Sequence, residues 1–162
     1  MKTIRKSRYD DLPRLMEIYR DGRQKMLDCG DLHQWAEGYP TEDMIRADID
    51  RGVSHAVVED GGIVGVFAFI PGEDPTYAVV YDGAWIDDET PYGTIHRLAG
   101  AMGSHGVAEA CFDWCWEQIK SLRVDTHEDN VIMRHCIARA GFSYCGVIHL
   151  LSGAPRLAYQ KI

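Results

Sequence analysis

A chain of 162 residues is long enough for one domain with a sizeable core and too short for two ordinary ones. Its 46% hydrophobic and 26% charged residues match a globular composition, and a net charge of −8 opposes binding to nucleic acid or to an anionic membrane. The segment MKTIRKSRYDDLPRL is charged throughout, unlike a signal peptide, and no run approaches the roughly eighteen apolar residues of a membrane span. Five cysteines form no CxxC pair, so a reduced, cytoplasmic chain is expected.

Residues 2–7 read as a first strand. Asp11 is the expected N-cap of a helix that tolerates Pro13 in its first turn and shows Leu12, Leu15, Met16 and Tyr19 at helical spacing. That helix runs to about Leu27, before Gly30. Thr41 caps a second helix, with Glu42 and Asp43 at its positive end and Gly52 closing it. Residues 53–59 and 63–70 flank EDGG as a β-hairpin, and PGEDP is a loop. Residues 76–81 are expected as a strand and residues 82–93 as a polar excursion. Residues 94–100 form a strand and 108–120 a helix whose one side carries Cys111, Phe112, Cys115 and Ile119. A strand at 122–126, a helix at 129–140 stopped by Gly141, and strands at 142–150 and 157–162 complete the chain. A strand meander followed by two strand–helix units predicts an α/β (α+β) domain spanning residues 1–162, with a mixed sheet packed between helices.

The stretch AMGSHGVAEACFDW passes from small residues into a helix. Glycine permits close backbone approach, and the unpaired N–H groups of a helix start can hold a phosphate without a lysine, which matters in an acidic protein. Alone, the G-x-x-G-x-A spacing does not separate such a cradle from a flexible loop.

The order of elements, together with the glycine loop, DTHEDN and the Gly141-Phe142 pair, resembles the GNAT superfamily of N-acetyltransferases over essentially the whole chain. The stretches QWAEGYP, DPTY, HR, GFSYCG and PRLAYQK are also similar to a bacterial subgroup whose substrates are unassigned. The resemblance implies a mixed sheet of about seven strands with about four helices. It also implies direct transfer of an acetyl group from acetyl-CoA to a primary amine of a small molecule or peptide. The resemblance leaves open a homodimer, and a non-catalytic acyl-CoA sensor as the alternative function. Leu98, Ala99 and Gly100 fall on the strand that lines the family's thioester. Gly103, Ser104, His105, Gly106, Val107 and Ala108 fall on its pyrophosphate loop, and Asn130 on its asparagine after the fifth strand. Gly103 departs from the usual Gln or Arg, so backbone donors from Ser104 to Ala108 are expected to carry the phosphate. The tyrosine that commonly protonates the CoA thiolate falls on Ile137.

His96 is the base candidate, since imidazole titrates in the useful range, although a histidine held structurally beside Arg97 fits the same position. Tyr144 is a substitute acid or a packing residue. His127 either lines the acceptor pocket or orients Asp129, the second being favoured. Trp35, Tyr39 and Trp85 are expected to build an acceptor pocket, with Tyr81 and the acids Asp82, Asp87, Asp88 and Glu89 near it. Cys136 and Cys145 are read as packed thiols. The spacing of His127, His135 and Cys136 fits no compact zinc motif, so no metal is expected.

Overall fold

A computed structural model describes residues 1–162. Strand β1 (Lys2–Lys6) leads through a short 3₁₀ turn into helix α1 (Leu12–Asp28), which buries Leu12, Leu15, Ile18, Tyr19 and Gly22 on one face. Full burial of Leu15 and Ile18 contributes roughly 1.5–3 kcal/mol each. Asp11 precedes α1 without capping it. Its carboxylate instead accepts two bonds from the Arg5 guanidinium, at 2.8 and 3.0 Å, and one from the Arg8 amide. Helix α2 (Glu42–Asp50) begins as its sequence predicts, with the Thr41 hydroxyl accepting from the Met44 amide.

Strands β2 (Ser54–Glu59) and β3 (Gly62–Pro71) form the expected hairpin. Asp60 (φ 51°) and Gly61 (φ 80°) both take the left-handed conformation that a two-residue turn between twisted strands requires. The expected strand at 76–81 is absent. Asp74 caps a 3₁₀ turn at Pro75–Tyr77, and its side chain takes the Thr76 amide, a local bond that competes with any ladder. Only Tyr81 pairs, as an isolated bridge to Val147.

The remaining elements are β4 (Gly93–Gly100), α3 (Val107–Gln118), β5 (Leu122–Thr126), α4 (Val131–Arg139), β6 (Ser143–His149) and β7 (Pro155–Lys161). They complete one seven-stranded sheet of order β1-β2-β3-β4-β5-β7-β6. The β4–β5 pair is parallel and all other neighbours are antiparallel, with β7 inserted between β5 and β6. Period-two alternation assigns the two faces. Phe67, Phe69, Ile95 and Val124 pack with α3 and α4 through Cys111, Phe112, Cys115 and Ile137. Val66 and Ala99 face α1 and α2. Gly22 permits this approach, because a Cβ there would sit 2.8 Å from the Ala99 methyl. Beneath the 72–92 excursion, Tyr77, Trp85, Tyr92 and Ala158 form a third cluster on the same face as Ala99 and His96.

Two irregularities open the middle of the sheet. Parallel pairing of β4 with β5 stops after Gly93–Leu122 and Thr94–Arg123, so the β5-facing backbone of β4 beyond that point has no ladder partner. Opposite β3, the register of β4 shifts between Val66 and Ala68, and Arg97 sits in the bulge at φ 51°.

Candidate active site

The opening between β4 and β5 leads into a cavity of about 500 Å³. Its walls include Ile95, His96, Arg97 and Leu98 from β4, Val124 and Asp125 from β5, Trp35 and Tyr39 from the α1–α2 connection, and Arg156 from β7. The bulge that exposes this stretch is braced from α2. The Arg97 guanidinium makes a bidentate pair with the nearly wholly buried Asp48, with Nε–Oδ2 at 2.9 Å and Nη2–Oδ1 at 2.8 Å. A non-glycine residue in the left-handed region costs roughly 1–2 kcal/mol, and this pair holds it there.

His96 is held by the acid that opens the DPTY stretch. Its Nε2 is 2.9 Å from Asp74 Oδ2, and Asp74 is itself fixed by bonds from Thr76 and by its own amide donating to the Tyr92 hydroxyl. Burial alone would raise the Asp74 carboxyl, but the hydrogen bonds from His96 and Thr76 outweigh it and hold the group at about 2. With Nε2–H donated to Asp74, the unpartnered Nδ1 keeps a lone pair. Beside this pair the buried Tyr77 hydroxyl donates to Asp125 at 2.6 Å. Burial raises the Asp125 carboxyl above its ordinary range, against the lowering influence of His96, Tyr77 and Arg156.

The glycine loop stands at the N-terminus of α3. Gly103 (φ 78°) and Gly106 (φ 75°) are left-handed, and Gly106 is an N-cap with no side-chain hydrogen bond. The amides of His105, Gly106, Val107, Ala108 and Glu109 find no protein acceptor, which leaves an anion-binding N-terminus. Ser104 differs from the expectation that it would donate to phosphate. Its amide and hydroxyl both turn back to the Ala101 carbonyl. Lys25 from α1 donates to the same carbonyl at 2.7 Å, which brings a cation to the edge of the loop.

Leu98 lines the cavity, whereas the Ala99 side chain packs towards α1 and Gly100 lies over Ser104 and Val107. Asn130 also lines the cavity, but its side chain is largely committed. Its Oδ1 accepts from the Met133 amide at 3.1 Å, capping α4, and its Nδ2 donates to Gln34 at 3.0 Å. Gln34 Oε1 accepts as well from the Thr126 hydroxyl and the His127 amide, tying the α1–α2 connection to the end of β5.

Trp35 and Tyr39 pack with their rings tilted at 58° and 5.8 Å apart on the cavity wall, but Trp85 is elsewhere. The Trp85 ring and that of Tyr92 sandwich the buried Arg123 guanidinium at 4.0 and 3.8 Å, and its indole N–H donates to the Tyr77 carbonyl. The acids of the excursion also lie outside. Asp87 and Asp88 serve Arg123 and the local turn. Tyr144 is 54% exposed on β6, where it packs on Tyr159 away from the cavity, and Ile137 is completely buried. His127 accepts from the Asp129 amide at 3.0 Å, the orienting arrangement. It also stands 3.7 Å from Asp31, so that Asp31, His127 and Asp129 are the one place where three potential metal-ligand atoms converge, within 4.8 Å.

Asp74, Gln34, Asp125 and Arg156 lie within DPTY, QWAEGYP, DTHEDN and PRLAYQK, but residue type and spacing assign them no role in the site. Asp74 before Pro75 reads as a turn residue, and nothing local couples it to a histidine 22 positions later.

No protein-family model matches the sequence, and no curated protein does. Among solved structures the chain is similar to a GNAT-family acetyltransferase from Streptococcus agalactiae 2603, with 33% identity, a TM-score of 0.90, and coverage of 99% of this chain and 95% of that one. A GNAT-family acetyltransferase from Listeria monocytogenes 4b F2365 shares the fold at 16% identity and TM-score 0.70, covering 99% of this chain and 94% of that one. The ribosomal-protein-alanine N-acetyltransferase of Brucella melitensis does so at 18% identity and TM-score 0.66, covering 99% of each chain.

Proposed function

Because the chain belongs to the GNAT family of acetyltransferases, we propose that it transfers an acetyl group from acetyl-CoA to a primary amine, with His96 as the general base. Acetyl-CoA, when bound, supplies the acetyl group activated as a thioester. The residues present fit that group. Unpaired amides from His105 to Glu109 bind its pyrophosphate, with Lys25 as the nearby cation in place of the Gln or Arg that Gly103 replaces. The unladdered stretch of β4 from Ile95 to Leu98 offers backbone donors to a carbonyl oxygen at the cavity wall. His96 Nδ1 takes the proton the amine must lose, while Asp74 fixes the tautomer and stabilises the imidazolium. Trp35 and Tyr39 wall the acceptor end of the cavity and exclude water from it.

The observation that carries this reading is the His96–Asp74 pair beside the β4–β5 opening, on the strand that runs into the loop and free N-terminus of α3. The buried Ile137 and the distant Tyr144 favour a second reading, a non-catalytic acyl-CoA sensor, because neither can protonate a thiolate in the cavity. Release of free CoA thiol, followed across a panel of polyamines, amino acids, aminoglycosides and peptides, separates the two. An enzyme releases thiol only when an amine is present. His96→Ala should then lower kcat far more than CoA affinity and remove the acid-side limb of the pH profile. Stabilisation by CoA with no thiol release across the panel would support the sensor.

A further inference from the structure

The cavity and the protein as a whole carry opposite electrostatic characters. Against a net charge of −8, the cavity wall presents Arg97, Arg156, His33 and His96, with Asp125 as its single acid. Two of these basic groups are already engaged by their own carboxylates, Arg97 by Asp48 and His96 by Asp74. Arg156 is not. It is 7% exposed, and its guanidinium donates only to the carbonyls of Pro155, at 2.8 Å, and Gln34, at 3.1 Å. Guanidinium has five N–H donors, so these two bonds leave a planar, charged edge without an anion. The acid nearest in the sheet, Asp125, already takes the Tyr77 hydroxyl, and its buried position resists ionisation.

Strand register places the three groups in a row. Thr94 pairs with Arg123, so His96 and Asp125 continue two residues along on the same face of adjacent strands. Asp125 pairs with Ala158 of β7, and Arg156 lies two residues from Ala158 on that same face. The order across the sheet is therefore His96, Asp125, Arg156, with the cavity above all three. A buried, half-used guanidinium at one end and a histidine with a free ring nitrogen at the other suit a ligand with an anion and an amine a few bonds apart.

Resting on the acetyltransferase reading, we propose that the acceptor is a free amino acid, its carboxylate bound by Arg156 and its amino group directed to His96 beside Asp125. A polyamine would bring only positive charge to Arg156. A peptide N-terminus would lack the nearby carboxylate. Both are disfavoured by this arrangement, because Asp125, the one acid lining the cavity, is already bonded to the Tyr77 hydroxyl.

The test uses the intact chain with acetyl-CoA, the free L-amino acids, the matching amino-acid amides, and polyamines. Thiol release measures turnover, and thermal shift with CoA present measures acceptor binding. At least one free amino acid should be turned over with kcat/KM about 100-fold above its amide, a comparison that needs no variant. Arg156→Gln should abolish most of that preference, mainly through KM, while leaving CoA-induced stabilisation unchanged, and Arg156→Lys should restore part of it. The proposal is overturned if amides or polyamines are turned over as well as acids, or if Arg156→Gln weakens CoA binding instead. Amino-acid binding without turnover, lost in Arg156→Gln, would keep the carboxylate site and defeat the enzyme reading. Absence of both turnover and amino-acid binding would defeat the carboxylate site, and CoA stabilisation alone would then decide the fate of the acyl-CoA reading.

Discussion

Asp48→Ala removes the carboxylate that neutralises Arg97, and the consequence should be large. Both partners are removed from water, with 4% of the Asp48 and 15% of the Arg97 side chain exposed, and both hydrogen bonds have good lengths, 2.9 and 2.8 Å. Truncating one member of such a pair leaves a buried charge uncompensated, at a cost of about 3–5 kcal/mol. Unfolding entropy of about 2.1 cal/mol/K per residue converts each kcal/mol into roughly 3 °C for a chain of this length. The expected fall in Tm is therefore about 9–15 °C, measured by calorimetry and checked by urea unfolding at unchanged m. Because the pair also holds the bulged backbone at the cavity wall, kcat should fall more than CoA affinity does. The double variant Asp48→Leu/Arg97→Met removes both charges and should recover most of the lost stability. A loss under about 1 kcal/mol in Asp48→Ala would mean the pair behaves like a surface bridge. A double variant no more stable than Asp48→Ala would equally refute the reasoning.

Four other outcomes follow from the same structure. Asp74, held at about 2 against an ordinary 3.8, contributes about 2 kcal/mol above pH 4 or so that is lost as pH falls towards 2; Asp74→Asn should flatten the stability profile across that window. Asp125 has the opposite sign, its carboxyl raised chiefly by burial. Its ionisation therefore costs stability as pH rises, and Asp125→Asn, still able to accept from Tyr77, should raise Tm near pH 8 and not near pH 4; a lower Tm near pH 8 would show the charge to be a net stabiliser. Gly65→Ala would set a methyl 2.4 Å from Val107 Cγ1 and 3.3 Å from the Ala99 carbonyl, costing about 1–3 kcal/mol that Val107→Ala should partly restore in the double variant. Lys25→Gln should weaken CoA binding about five-fold at low salt and less at high salt, as titration calorimetry would record; equal affinity at both would remove Lys25 from the phosphate site.

Local patterns carried most of the secondary structure. Apolar residues at helical spacing marked α1, Thr41 marked the start of α2, and EDGG marked its hairpin, because each feature acts over a few residues. The 76–81 segment differs for the same reason in reverse: its composition suits a strand, but the Asp74 carboxylate takes the Thr76 amide and closes a 3₁₀ turn there instead. The glycine loop was legible as a helix start with free amides, although the turn that occupies Ser104 was not. His96, Trp35 and Tyr39 are brought to one cavity, while Trp85 and Tyr144 are carried away from it to hold Arg123 and to pack on Tyr159.

An acidic α/β chain with this order of strands and helices is readable from the residues alone, since charge, periodicity and turn chemistry are properties of short windows. Which charges meet depends on how the sheet is assembled. Insertion of β7 between β5 and β6 sets Arg156 in a row with Asp125 and His96, and the excursion before β4 returns Asp74 to His96. Such pairings join residues far apart in the chain, where burial makes an unpaired charge costly and the packed sheet, not the neighbouring sequence, supplies the partner.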